Sequence, residues 1–210
     1  MTAATWLTTG KFHASALRGK LRRVLSPKPW PEGGVLRLHL GCGAIDHPGF
    51  VNIDGIDRPH VHFVQSLTRL ARFKDGSVDF VYSSHAAEHF PRDCTVDIFR
   101  EWHRVLVPGG RLCISVPDFD RILEMYARSG QDMDAILPPL FGGQDYPFNF
   151  HFTAFNQQSL RQALLQAGFS SVQAWQPGSD AFHNLPDWSG RSIAVAGYAL
   201  PISLNLEATK

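Results

Sequence analysis

Two short blocks of this sequence hold residue types that could do chemistry together. The first is Leu40-Gly41-Cys42-Gly43, followed by Phe50-Val51-Asn52-Ile53-Asp54. It reads as a buried strand, a glycine turn, and a second buried strand ending in a carboxylate. An open α/β sheet holds a nucleoside in this way, at the carboxyl ends of its strands. Gly41 and Gly43 let the backbone approach a ligand with no Cβ in the way. Asp54 is placed to accept hydrogen bonds from two ribose hydroxyls. A dinucleotide turn would carry a third glycine where Asp46 stands, and its acid would come about 20 residues after the first glycine. A carboxylate beside a pyrophosphate is repelled, so a nicotinamide oxidoreductase is disfavoured. S-adenosylmethionine (SAM) has no phosphate and is cationic.

The second block is Ser83-Ser84-His85-Ala86-Ala87-Glu88-His89. His85, Glu88 and His89 have i, i+3, i+4 spacing and can share one helix face. Two imidazoles and a carboxylate suit a divalent cation. A third patch, Phe148-Asn149-Phe150-His151-Phe152, sets one imidazole in an aromatic loop. Histidine has the pKa best suited to taking a proton from a weak nucleophile such as a hydroxyl. His39 reads as a strand residue and His103 as a helix residue. His13, His47, His60 and His62 read as surface groups, and His183 remains with the candidates.

The elements that must position these residues follow from periodicity. Strands are predicted at about 35–40, 50–54, 61–65, 78–83 and 110–116, the first, fourth and fifth almost wholly apolar, as in buried parallel strands. Helices are predicted at about 93–106, 119–129 and 157–167, the last capped by Asn156 and stopped by Gly168. A sixth strand falls at 172–175. A last one falls at 202–206 or in the run 193–200.

Together these blocks resemble the class I SAM-dependent methyltransferases, and within them the small bacterial methyltransferase-domain (type 11-like) group often linked to glycan biosynthesis. The resemblance rests on Leu40-Gly41-Cys42-Gly43, Gly49-Phe50-Val51-Asn52-Ile53-Asp54, Ser83-Ser84-His85-x-x-Glu88-His89 and Arg104-Val105-Leu106-x-Pro108-Gly109-Gly110. The late Phe141-Gly-Gly-Gln144, Asn149-Phe-His151 and Ile202-Ser-Leu-Asn-Leu-Glu-Ala208 segments also fit, so it spans about 35 to 207. It implies a Rossmann-like α/β sheet, mostly parallel with a final antiparallel strand, and helices on both faces. It implies SAM as cofactor, with S-adenosylhomocysteine as product. Gly41, Cys42 and Gly43 would meet the methionine half, Asp54 the ribose, Ser66 and Leu67 the adenine, and Ser84, His85 and His89 the methionine and its methyl. Many relatives carry an Asp after the third strand, where this chain has Gln65-Ser66-Leu67. His151 is the first choice of base, with His85 its competitor. The acceptor implied is a hydroxyl of a sugar, a glycan or a small metabolite. Glu88-His89 in this class also supports the cofactor loop without metal. The alternatives are a metal-assisted O-methyltransferase using His85, Glu88 and His89, or a SAM-binding module without turnover.

Composition agrees with a globular enzyme. The chain has 210 residues, 44% hydrophobic and 19% charged, enough for one domain with a full core. Cys42, Cys94 and Cys113 have no paired metal spacing and read as reduced thiols, which points to the cytoplasm. No apolar run is long enough to span a membrane. The formal charge of +1 hides an asymmetry: of 20 basic residues six lie in residues 1–30, which hold none of the 19 acids. The body therefore carries 14 basic against 19 acidic groups and offers no basic groove, which argues against nucleic acid. Residues 1–33 read as a basic helical arm, its apolar side chains, Leu17 and Leu21 among them, facing inward. The competing reading is peripheral contact with an anionic membrane. Pro27, Pro29 and Pro31 with Gly33-Gly34 end the arm, and the catalytic domain is predicted over 34–210.

Overall fold

Alternation of side chains builds the sheet. In β1 (Arg37–Leu40), Leu38 and Leu40 enter the main core, while His39 points to the opposite face against Phe50 and Tyr82. β4 (Val78–Ser84) sends Val81 one way and Phe80 and Tyr82 the other. In β5 (Leu106–Pro117), Leu112, Ile114 and Val116 face the core, and Cys113 the other side. This period of two, with both faces covered, marks strands buried in a layered sheet. The computed structural model describes residues 17, 21, 28–31, 33–47, 49–179 and 186–210.

With β2 (Val51–Asp54), β3 (Phe63–Val64), β6 (Ser171–Ala174) and β9 (Ser203–Thr209), the seven strands run in the order β3-β2-β1-β4-β5-β9-β6. All neighbours are parallel except β9, which is antiparallel to both β5 and β6. The strand order reverses at β1 and β4, so their carboxyl ends form the crevice where such sheets bind ligands.

Among the described residues, four α-helices from Thr95 onward pack around this sheet. α1 (Thr95–Val105) buries Ile98, Phe99, Trp102 and Val105, the 3.6-residue stripe of an amphipathic helix. Lys210 Nζ donates to the carbonyls of His103, Arg104 and Leu106 at its end, at 2.9, 3.2 and 2.8 Å. α2 (Phe119–Arg128) and α3 (Met133–Phe141) each start on an aspartate whose side chain accepts from the backbone two residues on. α4 (Gln157–Gln166) opens on a reciprocal cap between Asn156 and Ser159. α1 and α4 lie on the main core. α2, α3 and a hairpin of β7 (Ser192–Val195) and β8 (Tyr198–Pro201) close a second, smaller core around Ile122, Met125, Ile136 and Leu200.

The structure changes three expectations. Both predicted forms of the last strand exist: 193–200 is the hairpin and 203–209 the sheet strand. His62 is buried, not on the surface; its Nδ1 accepts from Asn52 N–H at 3.0 Å. Leu17 and Leu21 lie in helix but are 70% and 59% exposed, so they do not face inward. The rest of the arm before Lys28, and His183, lie outside the described residues.

Candidate functional site

The glycine turn follows β1 directly. Gly41 N–H and Cys42 N–H both donate to the Ile53 carbonyl, at 2.9 and 3.3 Å. Gly41 has φ +71, and a Cβ on it would fall 2.6 Å from Ala86 Cβ, so only glycine fits between the two strand ends. Gly43, at φ +54, has open space where its Cβ would be. Its N–H donates to Asp54 Oδ2 and Ile56 N–H donates to Asp54 Oδ1, both at 2.8 Å. Asp54 thus braces the turn and keeps a free lone pair on each oxygen. The Cys42 side chain packs with Val61 and Val64, and burial pushes its thiol well up, so it is inert.

A cavity of about 580 Å³ opens from this turn. The turn, Ser84, His85, Glu88 and His89 form one wall; Pro138, Pro139, Tyr146 and His151 form another; Asp187, Trp188, Arg191 and Ile193 form the third. Of the expected site residues, Gly41, Cys42, Gly43, Ser84, His85, His89 and His151 line it together. Asp54 lies beneath the turn. Ser66 is off the cavity, its hydroxyl 2.9 Å from that of Thr68. Leu67 is buried under Gly41 and its carbonyl accepts from Trp102 Nε1–H at 2.9 Å.

Glu88 sits at the centre of the polar groups. It lies on a short 3-10 turn, Ala87–His89, and its side chain is 1% exposed. His85 Nδ1 is 3.4 Å and His151 Nε2 4.0 Å from Glu88 Oε1, and the rings of His89 and His151 meet edge to face at 4.9 Å. Burial acts to raise the carboxyl's pKa, but the three imidazoles outweigh it and hold the group below the usual carboxylate range. Burial lowers His151, against the opposing pull of Glu88. The aromatic loop is tied down beside this group. His151 N–H donates to Phe141 O and Phe152 N–H to Glu88 O, at 3.0 and 2.8 Å. His85 has φ +51, an unfavourable backbone for an L-residue, and its imidazole is thereby turned into the cavity.

A second network faces the cavity from the segment before the hairpin. Asp187 is buried and accepts from Tyr82 Oη–H and Ser189 Oγ–H, each at 2.5 Å. The Arg191 guanidinium lies 4.8 Å from the ring centroid of Trp188. Sequence reasoning missed this segment, because Pro186-Asp187-Trp188 carries no motif. It weighed Glu88 from the spacing within His85-x-x-Glu88-His89 as a metal ligand or a support of the cofactor loop, and missed that His151 joins the group.

Residues 49–114 match the family model described as a methyltransferase domain. No curated protein matches the chain. Among solved structures, a SAM-dependent methyltransferase from Thermotoga maritima is 20% identical with a TM-score of 0.52, covering 95% of this chain and 91% of that one. One from Archaeoglobus fulgidus is 17% identical with a TM-score of 0.52, covering 98% and 99%. The 1,6-didemethyltoxoflavin-N1-methyltransferase of Burkholderia thailandensis, solved with its substrate and S-adenosylhomocysteine, is 17% identical with a TM-score of 0.52, covering 98% and 80%. These likenesses establish the fold. Together, the matched segment, the sheet order and the crevice beside the glycine turn give the chain the fold of the class I SAM-dependent methyltransferases, with a methyltransferase-domain match over residues 49–114.

Proposed function

We propose that this protein is a SAM-dependent methyltransferase that acts on oxygen: it methylates a hydroxyl of a sugar, a glycan or a small metabolite. The observation that carries this reading is the group of three imidazoles around a buried carboxylate, on the wall of the cavity into which the glycine turn opens. The residues present fit the cofactor. Gly41, Cys42 and Gly43 form a cradle whose third member leaves its Cβ space open, and Asp54 keeps lone pairs for a ribose. Ser84 and His89 line the same wall, and Leu67 supplies the apolar floor beneath Gly41. Bound there, SAM supplies an activated methyl group.

The protein's own task is then to align and deprotonate the acceptor. His151 spends its Nδ1–H on the Pro139 carbonyl at 3.1 Å and presents Nε2 toward the cavity wall. We assign it the acceptor's proton, with Glu88 positioned to stabilise the imidazolium. His85 is the second catalytic residue, on the strained turn next to the cofactor cradle. The acidic body and the exposed Trp188 ring support a small or saccharide acceptor over nucleic acid. Cys42, Cys94 and Cys113, none of them in a disulfide among the described residues, support a reducing compartment such as the cytoplasm. Among the described residues no helix is long and apolar enough to cross a membrane.

The test pairs calorimetry with a product assay. His151→Ala should lower turnover on a panel of glycans and phenols about 10²- to 10⁴-fold while SAM affinity holds. SAM binding by the unaltered protein with no methylated product from any acceptor would instead mark a non-catalytic SAM-binding module.

A further inference from the structure

The polar atoms around Glu88 do not balance. Neither of its carboxylate oxygens accepts a hydrogen bond among the described residues, although the group is buried. Three imidazoles surround it, yet each spends its N–H in another direction. His89 Nδ1–H donates to the Phe150 carbonyl and His151 Nδ1–H to the Pro139 carbonyl, each at 3.1 Å. His85 Nε2 meets Ser203 Oγ at 2.8 Å, and the Ser203 hydroxyl proton is committed to the Trp188 carbonyl. His85 must therefore donate there through Nε2–H. In these tautomers the remaining ring nitrogens carry lone pairs, and those of His85 and His151 stand 3.4 and 4.0 Å from a carboxylate oxygen that also carries lone pairs. Such an arrangement repels itself unless a positive charge sits among the acceptors, either a proton on an imidazole or a bound cation.

We propose that Glu88, His89 and His151 bind one divalent first-row transition cation, with His85 beside them as a further imidazole. One ligand atom from each of the three lies within 4.8 Å of the others. A small closing of the side chains brings this to the separation that bonds of about 2.1 Å require. Two imidazoles and one carboxylate select Zn²⁺, Mn²⁺ or Fe²⁺ over Mg²⁺. The outward N–H bonds to backbone carbonyls are the orientation that ligating histidines need. Sequence spacing brings His85, Glu88 and His89 together; the aromatic loop adds His151, held by its bond to Phe141. The proposal rests on reading this cavity as the acceptor site and alters one part of that reading. His151 then holds the cation rather than the proton, and the cation lowers the pKa of a hydroxyl set beside it.

The full chain is stripped with a chelator, dialysed and titrated with Co²⁺, Zn²⁺ and Mg²⁺. Expected are one equivalent of Co²⁺ with visible d–d absorption, its displacement by Zn²⁺, and no competition from Mg²⁺. Glu88→Gln and His151→Gln should each weaken Co²⁺ binding at least about tenfold, while His103→Ala on α1 leaves it unchanged. SAM affinity is measured on the same samples by calorimetry. Co²⁺ bound no better by the unaltered protein than by the Glu88→Gln/His151→Gln double variant overturns the cation site and leaves His151 as the base. Stoichiometric Co²⁺ without SAM binding would instead overturn the methyltransfer reading and keep the metal site. Misfolding of a variant does not blunt the test, because absence of the Co²⁺ spectrum in the unaltered protein is by itself decisive.

Discussion

In its proposed role, His85 sets stability against function at the scale of one residue. Its φ of +51 is a conformation that asparagine tolerates better than most residues. His85→Asn should therefore keep the melting temperature within a few degrees while turnover falls at least about tenfold, a split read by calorimetry beside a product assay. Asp54 is the second informative residue. It braces the turn through Gly43 and Ile56 and, in the proposed role, holds the ribose. Asp54→Ala should weaken SAM binding by about 1.5–3 kcal/mol; equal affinity at equal thermal stability would remove the ribose role. The glycines, Asp54, His85 and His151 stood out in the sequence because their types are costly or reactive where they occur. Glu88 was legible only as part of a spacing. Its importance comes from burial, and burial of a charged group is a property of the folded chain.

At the scale of elements, the parallel strands and the three long helices were legible from apolar runs, caps and glycine stops. α3 was not, because Pro138 and Pro139 read as breakers. It persists because a nine-residue helix has few internal hydrogen bonds to lose, Asp132 caps it, and Ile136 anchors it in the smaller core. The hairpin was read as one run because its turn, Ala196-Gly197 with φ +49 and +83, lacks the usual Asn-Gly or Asp-Gly signal. α3 ends at Gly142, φ +77, where a Cβ would collide with the backbone carbonyl of Asn149 and press on the His151 ring. Gly142→Ala should thus displace the loop carrying His151: turnover falls by at least about tenfold while SAM affinity stays near the original. A calorimetric loss of SAM binding in that variant would show that the loop shapes the cofactor side as well.

For the whole molecule, pH and chain length are the relevant variables. His39 is buried, and desolvation lowers its pKa from 6.5 to about 4; Asp187 opposes the shift, while His47 and His60 add to it. Between those values the unfolded chain binds a proton that the folded one refuses. This stability is fully present above pH 6.5 and is lost as pH falls toward about 4, a loss of roughly 3 kcal/mol. Denaturant melts across that range should show the slope, and His39→Gln should flatten it. Residues just before the predicted domain start also belong to the fold. Lys28 Nζ donates to the His60 carbonyl at 3.1 Å, and Trp30 packs against Phe63 and Phe73. We therefore propose that deleting 1–27 leaves the melting temperature unchanged, whereas deleting 1–31 lowers it by a few degrees. The position of β9 has a further consequence for biosynthesis. As a nascent chain leaves the ribosome, β6 emerges before the strand that must sit between it and β5, so it has no sheet neighbour to join. Until residues 203–209 are released, β5 presents an open edge along the seven residues that later pair with β9. Translational arrest in that interval leaves an adhesive half-sheet, an edge other chains can pair with, for chaperones to shield.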